Sequence, residues 1–225
     1  MADSDAKLLR AILVVAAIAV CAAGLISVSH EISAERIERN IAERLMQSLH
    51  EVLNPDLYDN DLVQTQVWAI DPDLLGTPDP VQVFLATRDG QPSAAIFAAV
   101  APRGYNGRID LLVGLDAAGV VQGVRVTAHR ETPGLGDQIE LSISDWITGF
   151  DGTSLSDPPL SQWAVAPDGG GFDAFTGATV TPRAVVQAVR DVLVYFDEHQ
   201  AELFERAAAI ERNEADSEPA GAFLP

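Results

Sequence analysis

The sequence predicts an α+β protein in which one N-terminal transmembrane helix precedes an antiparallel sheet with packed helices. Three observations predict it: an uncharged apolar run near the N-terminus, a series of Val-, Ile- and Leu-rich segments separated by turn residues, and a long helical stripe at the end. The chain has 225 residues, 48% of them apolar, which suffices for one or two domains with a real core. Collagen-like and wholly disordered readings are excluded. Against 33 Asp and Glu stand 14 Lys and Arg, a net charge of −19, and the sequence pI is about 4.3. The basic footprint that holds proteins to phosphate backbones is missing, so nucleic acid is not an expected partner. One cysteine, Cys21, cannot close an internal disulfide or supply most ligands of a zinc or iron–sulfur site. No metal is expected, and any redox chemistry must rest on something other than thiols.

Residues 1–10 form a short tail with Asp3, Asp5, Lys7 and Arg10, so the net negative charge belongs to the rest of the chain. From Ala11 to Val28 no residue is charged, and with Ser29 this predicts a transmembrane helix over 11–29. A cleaved leader would also have a basic start and a small residue such as Ala23. A lipoprotein signal fits less well, because Val20 stands before Cys21. The anchor reading is favoured because His30-Glu31 leads directly into a four-residue apolar repeat, Ile37, Ile41, Leu45, Leu49 and Leu53, which predicts an amphipathic stalk helix over 30–54. Asn54-Pro55 stops it. Lys7 and Arg10 on one side face Arg36, Arg39 and Arg44 on the other, so positive charge alone leaves the orientation open. No second span follows, which puts a domain of residues 55–212 on one side of the membrane.

Within that domain, Val81 to Ala86, Ala94 to Val100, Ile109 to Leu115 and Val120 to Ala128 read as strands. Arg88-Asp89-Gly90, Tyr105-Asn106-Gly107 and Asp116 to Gly119 read as the turns between them. Asp151 to Gly171 carries Pro158, Pro159, Pro167 and three consecutive glycines, and predicts irregular loop around a short strand at Trp163 to Val165. A helix is expected from Pro182, with Thr181 as its N-cap. Its stripe is Val185, Val189, Val192 and Phe196, flanked by Val186 and Leu193 and prolonged by Leu203, Phe204, Ala207 and Ile210. Residues 213–225 form an acidic flexible tail.

Two segments carry chemistry. Asp173-Ala174-Phe175-Thr176-Gly177-Ala178-Thr179-Val180-Thr181 places hydroxyls and small residues just ahead of a helix N-terminus, where free N–H groups and the helix dipole suit a phosphate. The same residues also make an ordinary capping arrangement. Neither a P-loop lysine nor a Gly-x-Gly-x-x-Gly after a strand is present. The second segment, His129-Arg130-Glu131-Thr132-Pro133-Gly134-Leu135-Gly136, ends a strand, and its glycines let a ligand approach the main chain. Thr-Pro-Gly is equally a simple turn, and His129 alone is weak support for a ligand or a proton carrier.

Together the two segments are more specific than either. Thr176-Gly177-Ala178-Thr179-x-Thr181, with Asp173 and Gly169-Gly170-Gly171 before it, resembles the flavinylation sequence of an FMN-binding domain family. That domain is shared by the G subunit of the Rnf electron-transport complex and the C subunit of the sodium-pumping NADH:quinone oxidoreductase. His129 to Gly136 resembles the family's Glu-Thr-Pro-Gly-Leu-Gly signature. Tyr58-Asp59-Asn60-Asp61, Tyr105-Asn106-Gly107, Val113-Gly114 and Trp146 to Phe150 stand in the expected order. The compact length and Tyr58 to Asp61 favour the Rnf G subunit over the longer C subunit.

The resemblance implies a covalent FMN, joined by a phosphoester to the hydroxyl of Thr179 and installed by a magnesium-dependent flavin transferase. It implies an FMN-binding domain in which Glu131, Thr132, Gly134, Leu135 and Gly136 line the flavin, with Leu135 or Trp146 packing on the ring. Thr176 and Thr181 would hydrogen-bond the phosphate or cap the helix, and Gly177 and Ala178, also at the cofactor, would keep the loop thin enough for the transferase to reach Thr179. The implied role is electron relay within an ion-translocating ferredoxin:NAD oxidoreductase, a redox-carrier subunit with no catalytic residue of its own. Its partners would be the other Rnf subunits and membrane lipid, at a bacterial inner membrane with the domain periplasmic. A free-standing FMN-dependent reductase is the alternative from another class.

Overall fold

The computed structural model describes residues 43–217. The transmembrane helix expected over 11–29, the tail before it, the stalk up to residue 42 and the acidic tail from residue 218 lie outside the described residues. Among the described residues, no helix is long and apolar enough to cross a membrane. The chain divides into two units, residues 1–47 and 48–225. Of the first, residues 43–47 are described and are helical.

In the second unit, residues 48–52 form a helical segment, α1. Asn54 then caps a 3-10 turn at Pro55–Leu57, its side chain accepting the Asp56 N–H at 2.9 Å. Five strands follow among the described residues: β1 (Gln66–Ala69), β2 (Val81–Arg88), β3 (Gln91–Gly104), β4 (Gly107–Asp116) and β5 (Val121–Ala128). They lie in chain order, each antiparallel to the next. The antiparallel sheet expected from the sequence is therefore present, with β1 as an additional edge strand.

The turns follow from their residues. Asp89 and Gly90 have φ of 52° and 70°, the double positive φ of a two-residue hairpin whose twist matches that of its strands. Asp116 closes the β4–β5 turn by accepting the N–H groups of Ala118 and Val120 at 2.9 and 3.0 Å.

Strand register sorts the sheet into two faces. Val83, Phe97, Val113 and Val124 form one cross-strand row in the main core. The adjacent row, Phe84, Ile96, Gly114 and Gly123, points to the other face. There α1 crosses on the paired glycines: a Cβ at Gly114 would stand 2.3 Å from the Val52 carbonyl oxygen, and one at Gly123 2.9 Å from Val52 Cα. Leu49, Val52, Leu53 and Leu62 are buried with that face. Both faces are covered, which explains strands that read as nearly continuous apolar runs.

The last helix, α2 (Val180–Ser217), packs its expected stripe of Val185, Val189, Val192 and Phe196 into the main core. Tyr195 and Phe196 meet Phe97 edge-on at 5.9 and 6.0 Å. Two expectations need correction. The helix begins at Val180 rather than Pro182, because the Thr179 carbonyl already accepts the Arg183 N–H at 3.3 Å. Thr179, not Thr181, therefore holds the N-cap position, and Pro182 still falls in the first turn, where its missing N–H costs nothing. The helical backbone also runs on to Ser217, past the expected tail boundary at Asn213.

The connection from β5 to α2 is irregular, as its prolines and glycines predict. No strand forms at Trp163 to Val165; Leu160–Gln162 is a 3-10 turn, and Val165 makes a single parallel bridge to Phe172. Pro158, Pro159 and Pro167 bracket the segment and remove donors a ladder would need. Aromatic packing holds it instead: Phe150 stacks on Phe172 at 4.8 Å, Trp163 meets Phe172 at 5.0 Å, and Trp146 meets Phe175 at 5.1 Å.

Candidate functional site

The two motif segments meet in one cleft of about 290 Å³, close to the lower bound of roughly 300 Å³ for small-molecule sites. One wall is the motif after β5. Leu135 and Gly136 N–H groups both bond the Thr132 carbonyl, at 3.1 and 3.0 Å, and Gly134 N–H bonds Asp137 Oδ2 at 2.8 Å. This tight turn runs into a 3-10 helix at Gly136–Ile139 and leaves Leu135 43% exposed over the cleft.

The opposite wall is the start of α2. Phe175 to Ala178 is a turn closed by an Ala178 N–H to Phe175 carbonyl bond of 3.1 Å, with Gly177 at φ 82°. Nothing lies within 4 Å of where a Gly177 Cβ would be, so the loop is thin on its outer side. Thr179 is half-buried at the helix cap, and the first-turn N–H groups of α2 have no intrahelical acceptor. The β3–β4 turn supplies the third wall through Tyr105, whose side chain is 68% exposed.

Glu131, buried at the floor, joins all three. Its Oε1 accepts the Asn106 N–H at 2.9 Å, and its Oε2 accepts the Tyr105 N–H at 3.3 Å and the Thr181 hydroxyl. Asn106 Nδ2 also donates to Thr132 Oγ1 at 3.2 Å. His129, behind this floor, accepts the Glu131 N–H on Nδ1 at 3.0 Å and meets Glu140 Oε1 with Nε2 at 2.6 Å. An imidazole whose Nδ1 accepts carries its proton on Nε2, so the pair orients the ring and braces the Glu131 backbone.

Of the residues singled out in the sequence, Glu131, Thr132, Leu135, Gly136, Gly177, Ala178, Thr179 and Thr181 line the cleft. Gly134 and Thr176 do not; Gly134 shapes the turn, and Thr176 lies exposed on the loop. Trp146 is also away from it, its ring packed edge-on against Phe150 and Phe175 and its Nε1–H donated to the Asp173 carbonyl at 2.9 Å. It contacts the threonine-bearing loop, and of the two side chains expected to pack on a ring only Leu135 lines the cleft. The Thr181 hydroxyl does not cap the helix, because it is fully buried and donates to Glu131.

Sequence reasoning missed Tyr105 and Val180 as wall residues. An exposed aromatic at the tip of a turn was the available signal for Tyr105. Val180 gave none, since its place on the cleft depends on where the helix begins. Arg183, one turn into α2, is engaged outside the cleft by a two-pronged pair with Asp168, at 2.5 and 2.8 Å. That hydrogen-bonded pairing holds the Asp168 carboxyl below the usual carboxylate range. Among the described residues, no Lys or Arg lines the cleft.

Comparison with known proteins finds the FMN-binding domain family matching residues 104–194. A Vibrio cholerae protein, named as the G subunit of an ion-translocating oxidoreductase complex, is 46% identical over 191 residues, 85% of this chain and 91% of its own. A Pseudomonas aeruginosa protein of the same name is 48% identical over 207 residues, covering 91% of this chain and 97% of its own. One from Shewanella oneidensis is 44% identical over 192 residues, with 85% and 91% covered.

Proposed function

The chain belongs to the G-subunit family of ion-translocating oxidoreductase complexes, and from that premise we propose that it is the family's electron-relay component, with FMN joined to Thr179 by a phosphoester. The observation that carries the assignment is the separation of the three motif threonines. Thr179 alone among them combines a place on the cleft with the cap of α2; Thr181 is spent on Glu131, and Thr176 stands off the cleft.

The residues present fit the group. First-turn N–H groups of α2 would hold the phosphate at the positive end of the helix dipole. Tyr105, Leu135 and Val180 offer apolar surface to a ring and exclude water from it. The lack of a lining cation among the described residues also fits. A free FMN phosphate carries close to two negative charges at neutral pH, whereas a phosphodiester carries one. A cleft that contains Glu131 and no Lys or Arg suits the second form.

Bound FMN supplies the redox chemistry, and the protein tethers and orients it. A relay in a larger assembly needs no substrate pocket beyond the flavin's own, and a covalent tether keeps the carrier from dissociating between transfers. In this reading a magnesium-dependent flavin transferase modifies the half-buried Thr179 through the thin Gly177-Ala178 side of the loop. Residues 11–29 anchor the chain in the lipid of a bacterial inner membrane. The domain lies on the periplasmic side among the other subunits of the complex.

Peptide mass spectrometry tests the assignment on protein produced with the transferase. The Thr179 peptide should carry the mass of FMN less one water, and Thr179→Ala should remove the fluorescent flavin band from a denaturing gel. A fluorescent band that survives in Thr179→Ala would place the attachment elsewhere.

A further inference from the structure

We propose that Glu131 is the positioning residue of the flavin cleft: its buried carboxylate ties the β3–β4 turn to the first turn of α2 and so sets the gap between Tyr105 and Thr179. The inference rests on the reading of Thr179 as the flavin-bearing residue, and it assigns Glu131 a different task from lining the flavin.

The three groups that donate to Glu131 come from segments far apart in sequence. Tyr105 and Asn106 precede it by 26 and 25 residues, and Thr181 follows it by 50. The side chain is 4% exposed, and burying a carboxylate is costly unless several donors meet it. Two glycines on different segments make room for it. A Cβ at Gly104 would stand 3.0 Å from Oε1, and one at Gly136 would stand 3.0 Å from Oε2. Its backbone is braced in turn by His129, which Glu140 holds.

The effect on the cleft follows from what each donor leaves free. Taking the Tyr105 and Asn106 N–H groups fixes the turn that presents the Tyr105 ring. Taking the Thr181 hydroxyl, rather than a backbone N–H of α2, anchors the helix by a side chain and leaves its first-turn N–H groups for the phosphate. An apolar residue in place of Glu131 would fill the same volume but would leave two turn N–H groups without an acceptor.

The test uses the full chain, produced with the transferase and purified in detergent. Wild type, Glu131→Gln, Thr181→Val and the double variant are compared for covalent FMN occupancy by intact mass, for fluorescence anisotropy decay of the attached flavin, and for Tm. A Gln side chain presents an NH2 group to donors, while Val keeps the shape of Thr181 and deletes only its hydroxyl. Both single variants should lose occupancy several-fold. The flavin that does attach should gain a fast depolarisation phase absent from wild type, and the double variant should add little to Glu131→Gln. Gly114→Ala, which strains the far face of the sheet, should lower Tm without that phase. Wild-type occupancy and decay in both single variants would overturn the positioning role, and so would the same fast phase in Gly114→Ala. Wild-type protein with no FMN on Thr179 would instead sink the underlying reading before any variant is compared.

Discussion

Replacing the two glycines of Gly134-Leu135-Gly136 with alanine, one at a time, separates damage to the backbone from damage to the cleft. At Gly136 an added Cβ would stand 2.9 Å from Thr181 Oγ1 and 3.0 Å from both Glu131 Cβ and Glu131 Oε2. Comfortable contacts of this kind sit at about 3.5–4.0 Å, so the neighbours must retreat by roughly half an ångström. Glu131 cannot retreat without leaving the Tyr105 and Asn106 N–H groups, so the Thr181 contact opens. A buried polar group that loses its partner costs about 1–3 kcal/mol. At roughly 2–4 °C per kcal/mol for a chain of this size, a loss of about 2 kcal/mol lowers Tm by about 4–8 °C. Gly134 is different: its φ is 76° and nothing lies within 4 Å of the would-be Cβ. Alanine there meets only the left-handed backbone penalty of about 1–2 kcal/mol, or about 2–8 °C by the same conversion. Thermal melts of the detergent-solubilised chain therefore overlap for the two variants, and covalent FMN occupancy distinguishes them. Gly136→Ala should lose most of its flavin, while Gly134→Ala should stay near wild type. Full occupancy in Gly136→Ala, or equal loss in both, would refute the geometric reasoning.

Thr176→Ala should keep near-wild-type occupancy by intact mass, because that hydroxyl lies exposed and off the cleft. Gly114→Ala should destabilise by about 3 kcal/mol in urea unfolding, since its Cβ would press on the Val52 carbonyl and lift α1 from the sheet. Adding Gly123→Ala should cost less than its separate effect, because one displacement of α1 relieves both clashes. Asp191 supplies a pH dependence. Burial holds its carboxyl above the usual carboxylate range, against the opposing pull of its hydrogen bond to Arg190 and of Arg103. The folded chain thus binds that proton more tightly than the unfolded one, a contribution present at low pH and lost as pH rises through the raised value. Asp191→Asn mimics the protonated acid, so the Tm of the variant relative to wild type should rise as pH increases above the ordinary carboxylate range.

Much of this architecture was written locally. Apolar runs and turn chemistry marked β2 to β5, and the Val185 to Phe196 stripe marked the core-facing side of α2, because each depends on neighbours within one turn or one hairpin. The helix start was misplaced by two residues because Pro182 and Thr181 make a reasonable cap between them, and the bond that decides it runs from Arg183 back to Thr179. The short β1 escaped because an edge strand of four residues gives too little pattern to separate from loop. In the cleft, the two motifs were visible and the family resemblance set both around one flavin, but the contacts that join them were not legible. Glu131 meets Thr181 across 50 residues and Asn106 across 25, and no periodicity encodes contacts of that length. Val180 reaches the cleft only as a consequence of the corrected helix start.

The charge balance and the attachment chemistry bear on one another. A chain of net charge −19 is a poor host for a dianionic ligand, and the cleft makes no local exception, since Glu131 on its floor is a carboxylate and Arg183, one turn into α2, is committed to Asp168. Most phosphate sites answer such repulsion with a lysine or an arginine. Here the available compensation is the helix end and its N–H groups, worth about 0.3–1 kcal/mol where exposed and up to about 2 kcal/mol where partly buried. Millimolar binding already requires about 4 kcal/mol, so that compensation alone would not retain free FMN. A bond to Thr179 removes the need for affinity and one of the phosphate charges together. A cleft without a lining cation therefore favours the tethered flavin proposed above, and Thr179→Ala protein dialysed against FMN should retain far less flavin than wild type.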